Sequence, residues 1–359
     1  MSLPAPSSTN PPNDWEDDDM EYTTVSPPAS IYRCSVDEIL DQPHQAMFRR
    51  AITNVLRTKA AEFTLAQIID GLPLKRIANL TVGGHYHKCV IEHTTLCPGA
   101  LDRARELRDD FDPCTDLDLP VDVLKRYQNI PAGSRASKLP FIELVAVAIH
   151  RIAGLAHGQG KVHKLPVEED RLCNDGSSEP YRNYYLTPFC LKEYANPEYP
   201  DGVADIVGYW AENWIFGGVV VFSRGESGAE LINESPRFTK QKCNDVWLHS
   251  FREGATYRNE VRALTEDQLT RLLSFLESEP AGSSAQETAV ENDCPLPIKL
   301  RFHYKLRRDA DNCIPEHNIY RDRWERKMRF ESRDDWDFSQ RGNDVEGFCD
   351  PDDELSDLY

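Results

Sequence analysis

Gly202-Val203-Ala204-Asp205-Ile206-Val207-Gly208-Tyr209-Trp210-Ala211-Glu212, followed shortly by Ile215-Phe216-Gly217-Gly218-Val219-Val220-Val221-Phe222, is the stretch whose reading decides the fold. Residues 204 to 210 are apolar and rich in β-branched and aromatic side chains. Such side chains suit a half-buried pleated surface, and the segment reads as a strand. Residues 215 to 222 are too continuously apolar for simple alternation. Both faces are then covered, which predicts a central strand. Gly217 and Gly218 carry no Cβ, so they permit a bulge or the close approach of another backbone, with approach of a ligand as the alternative.

Working outward, Asp245 to Phe251 and Ala255 to Arg258 flank Arg252-Glu253-Gly254 and read as a hairpin closed by a glycine turn. Thr265-Glu266-Asp267-Gln268 matches a capping box, and Leu269, Leu272, Leu273 and Leu276 recur on one helical face. Strands grouped together with a helix laid on one side give an α+β arrangement, not a βαβ winding.

The segments GVADIVGYWAE (202 to 212), IFGGVVVF (215 to 222) and IYRDRWERK (319 to 327) resemble stretches of uncharacterised hypothetical proteins of filamentous fungi, as does the Leu144-to-His150 helix. The resemblance implies a fungal source and a shared fold over most of Thr81 to Lys327. It carries no activity, cofactor or catalytic residue.

On the N-terminal side, Ser35-Val36-Asp37-Glu38 reads as a capping box. Met47, Phe48, Ala51, Ile52, Val55 and Leu56 form the stripe of an amphipathic helix after Pro43. Leu65, Ile68, Ile69 and Leu72 extend the helical pattern to Gly71-Leu72-Pro73, and short helices are expected over 101 to 107 and 121 to 127. Pro140 opens a long apolar helix that Gly158 ends. Read as Pro140 to Ala156, with Glu143, His150 and Arg151 inside it, this is a core helix short of the roughly 20 residues that cross a bilayer.

The expected organisation is a disordered acidic, proline-rich start (1–34), a mainly helical subdomain (35–160) and an extended Tyr/Pro-rich connection that clasps a surface (161–201). An antiparallel sheet with a helix (202–279), a linker (280–298), a basic strand and docking segment (299–330) and an acidic disordered tail (331–359) follow. The net charge of −19 is concentrated at the ends, because residues 1 to 30 contribute −6 and residues 331 to 359 contribute −9. Residues 299 to 329 hold ten basic and five acidic side chains. The tail is expected to mask this basic stretch at low salt. Ten cysteines are scattered without a CxxC pair and read as reduced thiols. The acidic N-terminus does not have the charge pattern of a secretory signal, so a cytoplasmic or nuclear protein is expected.

Three constellations bear on chemistry. His85-Tyr86-His87-Lys88-Cys89 puts three metal-ligand types at alternate positions, on one face if the segment is a strand, with His93 and Cys97 close behind. No second ligand pair completes a zinc pattern, and core packing explains the same residues. His150, His157 and His163 read as core or helix-end histidines, and Ser223, Ser227 and Cys243 near His249 lie in no nucleophile-elbow pattern. Lys299 to Arg308 alternates apolar and basic residues, as a charge-protected edge strand does; an acidic chain disfavours nucleic acid as the partner. The expectation is a non-enzymatic binding or accessory protein with no cofactor, no membrane role and an unknown protein partner. The alternatives are a metal-dependent hydrolase using His85, His87 and Cys89, and an accessory protein of a fungal secondary-metabolite cluster.

Overall fold

The structure is a computed structural model that describes residues 26–82, 88–159, 187–196, 198–224, 246–251, 260–279, 294–300 and 307–326. Those residues form an α+β fold. The expectations for 1–25, the 252–254 turn, 161–186, the 280–293 linker and the 327–359 tail lie outside them.

The main correction falls on the deciding stretch. Residues 203 to 216 are a helix, and only the second half of the apolar run is a strand. In chain order the first helices are α1 (Val36–Ile39), α2 (Gln42–Leu56), α3 (Lys59–Asp70), α4 (Lys75–Val82), α5 (Lys88–Glu92), α6 (Ala100–Asp110), α7 (Val121–Gln128) and α8 (Lys138–Gly158). α9 (Val203–Phe216), α10 (Glu266–Glu277) and the short α11 (Ala310–Cys313) follow. Strands β1 (Arg33–Ser35) and β2 (Asp118–Pro120) pair antiparallel. The larger sheet holds β3 (Val219–Ser223), β4 (Val246–His249), β5 (Glu260–Ala263), β6 (Arg307–Asp309) and β7 (Ile319–Tyr320) in the order β6-β5-β4-β3-β7, every pair antiparallel. Val220 therefore sits on an interior strand, and the charged β6 is an edge. β4 pairs with β5 (260–263), while the expected strand over 255–258 lies outside the described residues.

The local causes are legible once the elements are in view. Asp41 caps α2, its carboxylate accepting from the His44 backbone N–H, with proline in the first turn. Thr58 caps α3, and Gly71 in the left-handed region ends it. The capping box at α10 forms as expected, with Thr265 and Gln268 each accepting from the other's backbone. The box expected at Ser35 does not form. Its hydroxyl turns instead to the Cys114 carbonyl and Asp37. Thr265→Ala removes one bond of the α10 box and is expected to lower stability by about 1 kcal/mol, read as a shift in urea midpoint.

The α8–α9 pair is the centre of the molecule, and small residues set its closeness. A Cβ on Gly208 would lie 2.4–2.5 Å from the His150 ring, and one on Gly154 3.2 Å from the Ala204 side chain. α8 runs 21 residues, longer than the sequence suggested, and by length and composition could cross a membrane; here 67% of its apolar window is buried. Residues of α2, α3, α7, α8, α9, α10 and the larger sheet share one apolar cluster. Phe189, Tyr194 and Tyr199 of the Tyr/Pro segment are buried in that core. The Gly217-Gly218 pair is met by backbone: an added Cβ would stand 2.4 Å from the Ile298 carbonyl oxygen and 3.0 Å from the His249 carbonyl, respectively.

Candidate functional site

α9 is buried nearly all round, yet it carries Asp205 and Glu212, seven residues apart and therefore on one helical face. Opposite them on α8 stands His150. Its Nδ1 lies 2.8 Å from Glu212 Oε1 and its Nε2 3.2 Å from Asp205 Oδ1. Two ionised carboxylates as partners favour the protonated imidazole, which donates from both ring nitrogens. Arg321, just past β7, donates to the same Glu212 oxygen at 2.7 Å and lies over the Tyr209 ring at 5.0 Å. The second Glu212 oxygen accepts from the Val220 backbone at 3.2 Å, which ties helix, strand and C-terminal turn to one carboxylate.

The turn Arg321 to Arg326 is held by its own charges. Glu325 Oε2 accepts from the Arg321 and Asp322 backbone at 2.9 and 3.2 Å. The Tyr199 hydroxyl donates to the Glu325 carbonyl. Arg326 donates to the Ala310 and Ile319 carbonyls at 3.3 and 3.4 Å and stands 3.6 Å from Glu325. His150, Arg321 and Arg326 thus face Asp205, Glu212 and Glu325, all buried. Beside them Glu143, also buried, pairs with Arg224 at 2.6 Å and Arg126 at 2.7 Å, and Arg224 donates to the Tyr320 and Arg321 carbonyls.

Burial disfavours every one of these charges, and the pairing decides which survive. For His150 burial pulls the pKa down, but the bonds to Asp205 and Glu212 outweigh it and raise it above 6.5. Burial pushes Glu212 and Asp205 up; for Glu212 chiefly the Arg321 charge, and for Asp205 chiefly the His150 hydrogen bond, hold them below the ordinary 4.5 and 3.8. Glu325 is the exception. Burial dominates there and lifts it from 4.5 to about 7.

The signs give a pH profile. Asp205 and Glu212 add stability above their ordinary values, lost as pH falls through the lowered ones. His150 adds stability below 6.5, lost as pH rises through its raised value. Glu325 withdraws stability as pH climbs from 4.5 to about 7, because the unfolded chain ionises first. Stability is therefore expected to peak at about pH 5 and decline on both sides. Urea midpoints across this range check it; a midpoint still rising from about pH 6 to 8 contradicts the assignment.

The residues singled out for metal binding lie mostly outside the described part of the chain. His85 and His87 lie outside the described residues, and Cys89 is placed in α5, a helix. The grouping in the described residues is Asp70, His93 and Cys97. His93 Nε2 and the Cys97 backbone N–H both reach Asp70 Oδ2, at 3.1 and 2.8 Å. His249 and Tyr194 meet at 3.0 Å inside the core, and Ser227 and Cys243 fall outside the described residues. Most of the basic strand expected over 299 to 308 also falls outside them. At its end, Arg307 pairs with Glu260 at 2.9 Å, while Arg321 and Arg326 are buried and belong to no basic surface.

Sequence reasoning passed over Asp205, Glu212, Arg321, Glu325 and Asp70. A signal existed for the first two: acidic residues in an otherwise apolar segment imply buried partners. Comparison of the chain with protein-family models, with curated proteins and with solved structures gave no match.

Proposed function

We propose that this chain is a non-enzymatic protein that acts by binding another protein, as an accessory factor in the cytoplasm or nucleus of a fungal cell. The observation that supports this most is the closure of the central cluster. His150, the group best suited to acid–base work, spends both ring nitrogens on Asp205 and Glu212 inside the core. Arg321 and Arg326, the cations that could hold an anionic substrate, are committed to Glu212 and to backbone carbonyls. These groups are the fold's internal fastening, and recognition falls to the outer surface.

The chemistry of the partner follows from charge. A chain of net charge −19 repels polyphosphate, and Arg262 and Arg307 at the sheet edge both pair with Glu260. A protein surface is the partner class left in view. Reconstitution tests it: the full chain is tagged in its native host, the captured protein is expressed separately, and the two are mixed. A stoichiometric complex that survives gel filtration supports the reading. A chain that captures nothing reproducibly but turns over a substrate, with turnover lost in His150→Gln, contradicts it.

A further inference from the structure

We propose that Asp70, His93 and Cys97 form a zinc site that fastens the end of α3 to the loop between α5 and α6. The three residues come from separate turns of chain. Asp70 is the last residue of α3, with Gly71 at φ 99° turning the backbone away behind it. His93 follows α5, and Cys97 precedes α6. Their donor atoms all lie within 4.8 Å of one another.

Three features distinguish this grouping from a chance encounter of polar side chains. The first is histidine orientation. His93 Nδ1 donates to the Pro73 carbonyl at 3.1 Å, which leaves Nε2 as the nitrogen facing Asp70 Oδ2, also at 3.1 Å. Metal-bound histidines are held in this way, the far nitrogen anchored on a carbonyl or carboxylate. The second is the spacing. With zinc–nitrogen and zinc–oxygen bonds of about 2.0–2.2 Å in a tetrahedron, the N···O separation is about 3.3–3.6 Å, a few tenths of an ångström more than the 3.1 Å found. The third is the carboxylate. Asp70 is fully buried, and its Oδ1 has no hydrogen-bond partner among the described residues, a costly position for a charged oxygen.

The chemistry of the donors selects the ion. One thiolate, one imidazole and one carboxylate match zinc; calcium and magnesium prefer oxygen alone. Cys97, in no disulfide and partly exposed, is the donor nearest solvent, so a fourth ligand such as water enters on its side. On binding, the Cys97 thiol and the His93 imidazole each release the proton that the metal replaces, and no electron moves. Without metal, a proton on His93 Nε2 completes a buried ion pair with Asp70. The competing account is thus a hydrogen-bonded staple.

The test uses the full chain, stripped with chelator and titrated with zinc against a chromophoric competitor, then with cobalt(II). One equivalent of zinc and a thiolate-to-cobalt charge-transfer band are expected. Cys97→Ser, at a partly exposed position, should stay folded by circular dichroism, lose the band and weaken zinc by at least about tenfold. His93→Gln should do the same to the affinity. Failure of the wild type to bind zinc overturns the proposal in favour of the staple. So does zinc held with undiminished affinity by Cys97→Ser, which would move the metal to other residues.

Discussion

Arg321→Met is expected to destabilise the protein by about 3–5 kcal/mol, the cost of removing one partner from a buried ion pair. The methionine replaces the volume and loses the charge. Glu212 is fully buried and would be left with the Val220 N–H and a single cation, His150, itself shared with Asp205. The same change releases the C-terminal turn, because Arg321 is the link between β7 and α9. For a domain of ordinary marginal stability, about 5–15 kcal/mol, this is a large fraction. Urea denaturation at pH 7 measures it. A loss under about 1 kcal/mol, the figure for an exposed pair, would mean that the pair is solvated.

Gly217→Ala is expected to cost roughly 2–5 kcal/mol, adding a left-handed backbone term of about 1–2 to an overpacking term of about 1–3. Gly217 ends α9 at φ 95°, and a Cβ there would sit 2.4 Å from the Ile298 carbonyl oxygen and 3.1 Å from its nitrogen. Neither is the flexible end of a side chain. The Ile298 N–H donates to the Phe216 carbonyl at 2.9 Å, so this strand of backbone cannot retreat without losing that bond. Gly133→Ala separates the two terms. Gly133 has φ 72° and nothing within 4 Å of an added Cβ, so only the backbone term of about 1–2 kcal/mol should appear. Equal losses at the two positions would show that the Ile298 contact is not tight.

The elements that the sequence made legible are those with a solvent side. α10 lies where its stripe and capping box put it, and α2 where its apolar stripe put it, though its cap is Asp41 and not the box expected at Ser35. α9 has no solvent side. With residues 205 to 216 all buried, it offers no helical period, and its β-branched residues imitate a strand. Length was the better guide, since the fourteen residues between Gly202 and Gly217 exceed an ordinary strand and fit a helix. The same burial hid the central cluster. Glu212 and Arg321 stand 109 residues apart, a pairing that local pattern does not encode. Asp70 carries no local signal of its partners, since His93 and Cys97 stand 23 and 27 residues further along the chain.

The central charges fasten the fold by acting on one another, and a double-mutant cycle on Glu212 and Arg321 tests this directly. Unfolding free energies of the wild type, Glu212→Gln, Arg321→Met and the double variant are measured at pH 6 and pH 8. Mutual fastening predicts that the double variant recovers about 2 kcal/mol or more of the summed single losses, because the second change removes the charge that the first left stranded. Losses that add to within about 0.5 kcal/mol would show two independent residues and no central fastening.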